Sequence, residues 1–181
     1  MILLGITGSV AAILAPQLIR SLQSLGPIEV ILTRSAHYFV HPSDLNVPFW
    51  TDADEWKKEF YTRSDPILHI ELRRRADALV IAPCTAETLS ALANGRAYSL
   101  LTTVARAWDL EKPVILAPAM NTFMWRHPAT AEHLHTLQRW YGERLHVVQP
   151  VEKTLACGDQ GIGALAPVNT IQLAVKKALS S

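Results

Sequence analysis

Cysteine is almost absent: Cys84 and Cys157 are the only two in 181 residues. Two are too few for a disulfide framework, and reduced thiols in a cytoplasm are the default. A dominant charge is missing as well. Seventeen Lys and Arg stand against sixteen Asp and Glu, a formal net charge of +1. Such a balance leaves no basic face for nucleic acid, an anionic membrane or a polyacidic partner. No apolar run reaches the roughly 18 residues of a membrane span. The apolar start, Met1-Ile2-Leu3-Leu4-Gly5-Ile6-Thr7, carries no basic leader and no cleavage site, so it reads as a first strand rather than a signal peptide. Metal spacing is also lacking. His133 and His135, two apart in a helical stretch, point to different faces, and neither cysteine completes a ligand pattern with them. The expectation is one cytoplasmic domain over residues 1–181, with no metal, nucleic acid or membrane partner.

What the chain does have is an alternation of short apolar runs with helical patterns. Ile2 to Thr7, Ile28 to Leu32, Ala78 to Ala82, Val114 to Ala117 and Leu145 to Val148 read as strands. Val10 to Leu25, Ala86 to Ala93, Leu100 to Trp108, Thr130 to Trp140 and Val168 to Leu179 read as helices. Apolar strands separated by helices imply a parallel sheet covered on both faces. The expected fold is therefore α/β, a doubly wound, Rossmann-like or flavodoxin-like sheet in a single domain. The polar segment Pro42 to Asp65, with its Asp-Ala-Asp-Glu run, reads as an excursion between strands.

Gly5-Ile6-Thr7-Gly8-Ser9-Val10-Ala11-Ala12 lies where the first strand turns into the first helix. Glycines there allow close backbone approach, and the helix start offers free amides to an anion. Ser9 acting only as a helix cap is the alternative. A dinucleotide site would end the second strand in an acidic residue for the ribose diol. Here it ends Leu32-Thr33-Arg34-Ser35, hydroxyls and a cation, which suits a phosphate monoester such as FMN better than NAD.

Three further residues are chemically suggestive. His69 is of a residue type that suits proton transfer at neutral pH if it faces a pocket, though an unplaced histidine is more often a structural hydrogen-bonding group. Asn121 follows the strand Val114 to Ala117 in Ala117-Pro118-Ala119-Met120-Asn121-Thr122-Phe123-Met124-Trp125; it would cap a helix starting near Thr122 or face a ligand. Cys157 sits among Gly158, Gly161 and Gly163 before the last helix, a composition that suggests a mobile flap over residues 153–167 and a reactive thiol.

Pro118-Ala119-Met120-Asn121-Thr122-Phe123-Met124-Trp125 closely resembles the PxMNxxMW signature of the homo-oligomeric flavin-containing cysteine decarboxylases. The resemblance continues along nearly the whole chain: the Gly8-Ser9 turn, a HIxLRRxAD segment at His69, and Pro83-Cys84-Thr85-Ala86-Glu87-Thr88 in place of PASANT. Residues 153–167 resemble the family's substrate clamp. It implies FMN as cofactor, with Gly8, Ser9, Val10, Thr33 and Ser35 at the phosphate and Thr85, Ala86, Thr88, Ala119 and Met120 lining the rest. It implies His69 as active-site base, Asn121 as the substrate-carboxylate ligand with Met124 nearby, and Cys157 as proton donor to an enethiol. The implied assembly is a trimer or a dodecamer built from trimers, with His69 and Asn121 supplied by different chains.

The reaction so implied is flavin oxidation of a cysteine that carries a free carboxylate, followed by loss of carbon dioxide to give an aminoenethiol. Cys84, Thr85, Glu87 and Tyr98-Ser99 depart from the housekeeping members, and an added carboxylate suits a multiply anionic substrate poorly. These departures favour the C-terminal cysteine of a peptide. The alternative is phosphopantothenoylcysteine of coenzyme A biosynthesis, which the matching Cys157 clamp favours. A non-catalytic FMN-binding regulatory subunit is a further alternative, opposed by His69, Asn121 and Cys157. A flavin prenyltransferase would not need the Met-Asn-x-x-Met-Trp element, and a plain flavodoxin-like carrier is usually strongly acidic.

Overall fold

The computed structural model describes residues 1–154 and 160–180. Its centre is a parallel sheet of six strands: β1 Ile2–Ile6, β2 Ile28–Leu32, β3 Phe49–Trp50, β4 Ala78–Cys84, β5 Val114–Pro118 and β6 Leu145–Val147. Their spatial order is β3-β2-β1-β4-β5-β6, the doubly wound arrangement expected from the alternation. The helices are α1 Ala15–Leu22, α2 Asp52–Glu55, α3 Leu68–Arg75, α4 Ala86–Ala93, α5 Leu100–Arg106, α6 Thr122–Arg126, α7 Pro128–Tyr141 and α8 Val168–Leu179. A separate antiparallel hairpin pairs β7 Val151–Thr154 with β8 Gln160–Ala164.

Both sheet faces are dry, which is why the strands are continuously apolar rather than alternating. Leu4 and Ile6 of β1 pack with Leu18, Ile19 and Leu22 of α1 and Ile171 and Val175 of α8. Leu3, on the opposite side, joins Leu89 of α4, Leu101 and Val104 of α5 and Leu137 of α7. Each fully buried leucine of this kind contributes about 1.5–3 kcal/mol. Among the described residues no helix is long and apolar enough to cross a membrane.

Two expectations change. The helix read as Val10 to Leu25 is three pieces: a 3-10 turn at Val10–Leu14, α1, and a second 3-10 turn at Gln23–Leu25. Pro16 lies in the first turn of α1 and has no N–H to donate backwards, so the preceding turn winds tighter. The polar stretch 42–65 is more than an excursion. It contains β3, which pairs with β2 through Val30–Phe49 and Ile31–Trp50, and the helix α2. Trp50 Nε1 fixes that edge by donating to Glu29 Oε2 at 2.6 Å.

Candidate active site

Strand order reverses between β1 and β4, so the loops leaving their carboxyl ends diverge and open the crevice in which such sheets bind ligands. Thr7 ties the two lips together. Its hydroxyl, 1 % exposed, donates to the Pro83 carbonyl at 2.7 Å and accepts from Thr85 N at 3.1 Å. Pro83 cannot donate to a sheet ladder, and the β4–β5 register shifts between Ile81 and Cys84 to accommodate it.

On the β1–β2 side the expected phosphate residues converge. Ser9 caps the first helical turn, accepting from Ala11 N at 3.2 Å. Thr33 Oγ1 donates to the Ile6 carbonyl at 3.1 Å and lies 3.4 Å from Ser35 Oγ. A Cβ at Gly8 would sit 2.4 Å from Ser35 Oγ, so only glycine lets this turn and the hydroxyl pair meet. Val10 is exposed beside them. The result is a compact rim of backbone amides and hydroxyls with the cation Arg34 next to it.

The β4–β5 side supplies the other wall. Ala119 N donates to the Cys84 carbonyl at 3.0 Å, which brings Thr85 and Ala86 beside Ala119 and Met120. Thr85 Oγ1 accepts from Thr88 N at 3.2 Å and lies 3.1 Å from Thr88 Oγ1, so these hydroxyls serve the start of α4. Asn121 caps α6, its Oδ1 accepting from Phe123 N at 2.8 Å. Beyond it Phe123 and Met124 stand exposed at the same edge. The β7–β8 hairpin docks here: Met120 N donates to the Gly163 carbonyl at 2.9 Å. Gly161 and Gly163 are therefore close-approach positions. Added Cβ atoms would meet Thr122 Oγ1 at 2.6 Å and the Met120 carbonyl oxygen at 2.2 Å. Cys157, the third member of the expected catalytic set, lies outside the described residues.

Glu87, the odd carboxylate, is partnered. Tyr98 Oη donates to Glu87 Oε2 at 2.7 Å, and the Arg96 guanidinium carbon lies 4.7 Å from the Tyr98 ring centroid. Desolvation and then the bond to Glu87 push the Tyr98 phenol up to about 12. Two departures from the family pattern thus form one interaction. Cys84 is buried completely, and burial followed by the field of Glu87 pushes its thiol up to about 12. It is an inert core thiol.

His69 lies in the first turn of α3, which packs on α2 and α5, whereas α6 packs on β8 and α7. Its Nδ1 lies 2.5 Å from Glu55 Oε1. Sequence reading missed Thr7, Glu55 and the docking role of Gly163. Thr7 was visible only as a member of the first strand and its turn, and Glu55 only as part of a charge run.

A cleft of about 330 Å³ at the opposite, amino-terminal edge of the strands is lined by Arg106, Trp108, Trp140 and Tyr141 among others. It holds none of the expected site residues.

Residues 1–180 match the model of a family described as Flavoprotein. The chain is 47 % identical over 182 residues to phosphopantothenoylcysteine decarboxylase of Mus musculus, covering 99 % of this chain and 87 % of the relative. It superimposes with a TM-score of 0.93 on a PPC decarboxylase mutant complexed with pantothenoylaminoethenethiol, at 41 % identity over 99 % of this chain and 98 % of the other. SpaF, an FMN-dependent cysteine decarboxylase, is more distant, with a TM-score of 0.78 and 27 % identity over 99 % and 94 % of the two chains.

Proposed function

This chain belongs to the Flavoprotein family, and from that premise we propose that it is an FMN-dependent decarboxylase of phosphopantothenoylcysteine. The observation that carries the substrate is the 47 % identity across 99 % of the chain to the mouse enzyme of that name, against 27 % to SpaF. The sequence-based preference for a peptide rested on Cys84, Thr85, Glu87 and Tyr98-Ser99 as departures, Glu87 being the one that adds a charge. The hydrogen bond from Tyr98 partners that charge within the chain, which weakens the preference.

The residues fit FMN. The bare backbone of Gly8 against Ser35, the Thr33–Ser35 hydroxyls and the amides after Ser9 suit a dianionic phosphate. The β4–β5 side offers Ala86, Ala119 and Met120, small or apolar side chains of the kind a ring system packs against. Bound FMN supplies the oxidation of the thiol-bearing carbon that makes carbon dioxide loss feasible. The chain's own residues do the rest. His69 takes up the substrate proton at Nε2. The Asn121 amide donates to the carboxylate from Nδ2; a neutral donor holds the carboxylate without stabilising the ground state as a cation would. Met124 packs beside the substrate, and the Cys157 thiol would supply the proton that accompanies return of the hydride from reduced FMN to the enethiol. We infer that His69 and Asn121 come from different chains of a cytoplasmic homo-oligomer, a reading supported by α3 and α6 packing on separate neighbours within one chain.

The test is to incubate the flavin-loaded protein with phosphopantothenoylcysteine and, separately, with a peptide ending in cysteine. Loss of carbon dioxide from the first alone is expected; turnover of the peptide alone would overturn the substrate. Replacing His69 with Asn should leave yellow protein that does not turn over. Undiminished turnover would remove His69 from the mechanism.

A further inference from the structure

We propose that Glu55 is the positioning residue for His69, fixing which ring nitrogen carries the proton. The proposal rests on the reading of His69 as the proton acceptor of the site. Both Glu55 oxygens are committed to the histidine: Oε1 lies 2.5 Å from Nδ1, and Oε2 accepts from the His69 backbone N–H at 3.1 Å. Binding ring and backbone of one residue sets the imidazole plane relative to the start of α3. The two side chains are 22 % and 10 % exposed, so water competes weakly for these bonds.

A helix of four residues has too few internal hydrogen bonds to hold itself, and each carboxylate of α2 makes a bond that helps to fix it. Asp52 Oδ1 accepts from Leu100 N at 2.8 Å, tying α2 to the first residue of α5. Asp54 Oδ2 accepts from Thr51 N at 2.7 Å and Thr51 Oγ1 at 2.8 Å, closing a capping box. Glu55 then projects from a fixed platform. The Asp-Ala-Asp-Glu run is therefore three separate anchors rather than a solvated patch.

The chemistry follows from donor counting. A carboxylate only accepts, so the neutral imidazole must carry its proton on Nδ1 and leave the lone pair on Nε2. Nε2 makes no hydrogen bond among the described residues, and it is the atom assigned the substrate proton above. When Nε2 is protonated, the same carboxylate compensates the imidazolium. This is the carboxylate–histidine logic of metal sites and acyl-transfer triads, in which removing the carboxylate leaves the wrong tautomer.

The experiment uses the full, FMN-loaded protein and its Glu55→Gln and Glu55→Ala variants, with His69→Asn to assign the ring signals. Nitrogen-15 spectra of the neutral ring should show the proton on Nδ1 in the unsubstituted protein and a shift towards Nε2 in both variants. With phosphopantothenoylcysteine, kcat should fall about 10–100-fold while KM and flavin content stay unchanged. A merely structural role would instead lower flavin content and leave the tautomer alone. A proton on Nε2 in the unsubstituted protein, or a kcat within twofold in Glu55→Gln, overturns the proposal. If the unsubstituted protein turns over no cysteine substrate, the assigned reaction fails, while the ring spectrum still decides the pairing.

Discussion

Replacing Gly163 with alanine separates the cost of an unfavourable backbone from that of a collision. Gly163 has φ +150°, and a Cβ there would sit 2.2 Å from the Met120 carbonyl oxygen. Gly26 has the similar φ of +148°, but nothing lies within 4 Å of its Cβ position. Gly26→Ala therefore incurs only the backbone term, about 1–3 kcal/mol. In a chain of this size that lowers Tm by about 2–4 °C per kcal/mol. Gly163→Ala adds an overpacking term of about 1–3 kcal/mol. The obstacle is backbone, so no change of rotamer relieves it. The cheaper route is to give up the bond from Met120 N to the Gly163 carbonyl, which is worth about 0.5–1.5 kcal/mol, and let the hairpin undock. Amide hydrogen exchange then reads the difference: Met120 N–H should lose protection in Gly163→Ala and keep it in Gly26→Ala, with the sheet amides of β1 and β4 unchanged in both. Measured at one flavin concentration, equal Met120 protection and equal Tm in the two variants would refute the close-approach argument.

Thr7→Val keeps shape but leaves the Pro83 carbonyl and Thr85 N–H without their partner at a residue 1 % exposed; a loss of about 1–3 kcal/mol per unsatisfied group is expected by denaturant unfolding, and an unchanged midpoint would contradict it. Tyr98 should ionise late in an absorbance titration, with a midpoint at about 12. Its stabilising contribution is present below the ordinary phenol range and is lost as pH rises through the folded value; Glu87→Gln should bring the midpoint down, and a titration insensitive to that change would deny the pairing. Cys84, raised to about 12 and wholly buried, should resist thiol reagents in a Cys157→Ser background until the protein unfolds; rapid labelling at neutral pH would show the site to be open.

The sheet was legible because its strands are buried on both faces and so stand out as unbroken apolar runs; β2, α4 and α8 have the bounds that the sequence suggests. The pieces that escaped are short or hold no repeat. Phe49–Trp50 is a strand of two residues, below any period, and α2 is a helix only because its carboxylates reach Leu100, Thr51 and His69. Glycine composition marks residues 153–167 but does not show that Gly161 and Gly163 each meet a neighbour about forty residues back. Such contacts leave no local trace in sequence.

The same limit governs substrate choice. Glu87 read alone is an unexplained charge near a phosphate-bearing cofactor, and Tyr98 read alone is an unexplained loss of a polar pair. Eleven positions apart in the chain, they are 2.7 Å apart in space, and each supplies the reason for the other. A phenol donating to the carboxylate and Arg96 stacked on its ring disperse the charge that had argued against a multiply anionic substrate. A Tyr98→Phe variant isolates this: the ring and its cation contact remain while the donor is lost. KM for phosphopantothenoylcysteine should then rise with little change in kcat, because an unsatisfied Glu87 repels a bound anion in the ground and transition states alike. Equal KM values in Tyr98→Phe and the unsubstituted protein would mean that Glu87 lies too far from the substrate to matter, and the pairing would then be structural alone.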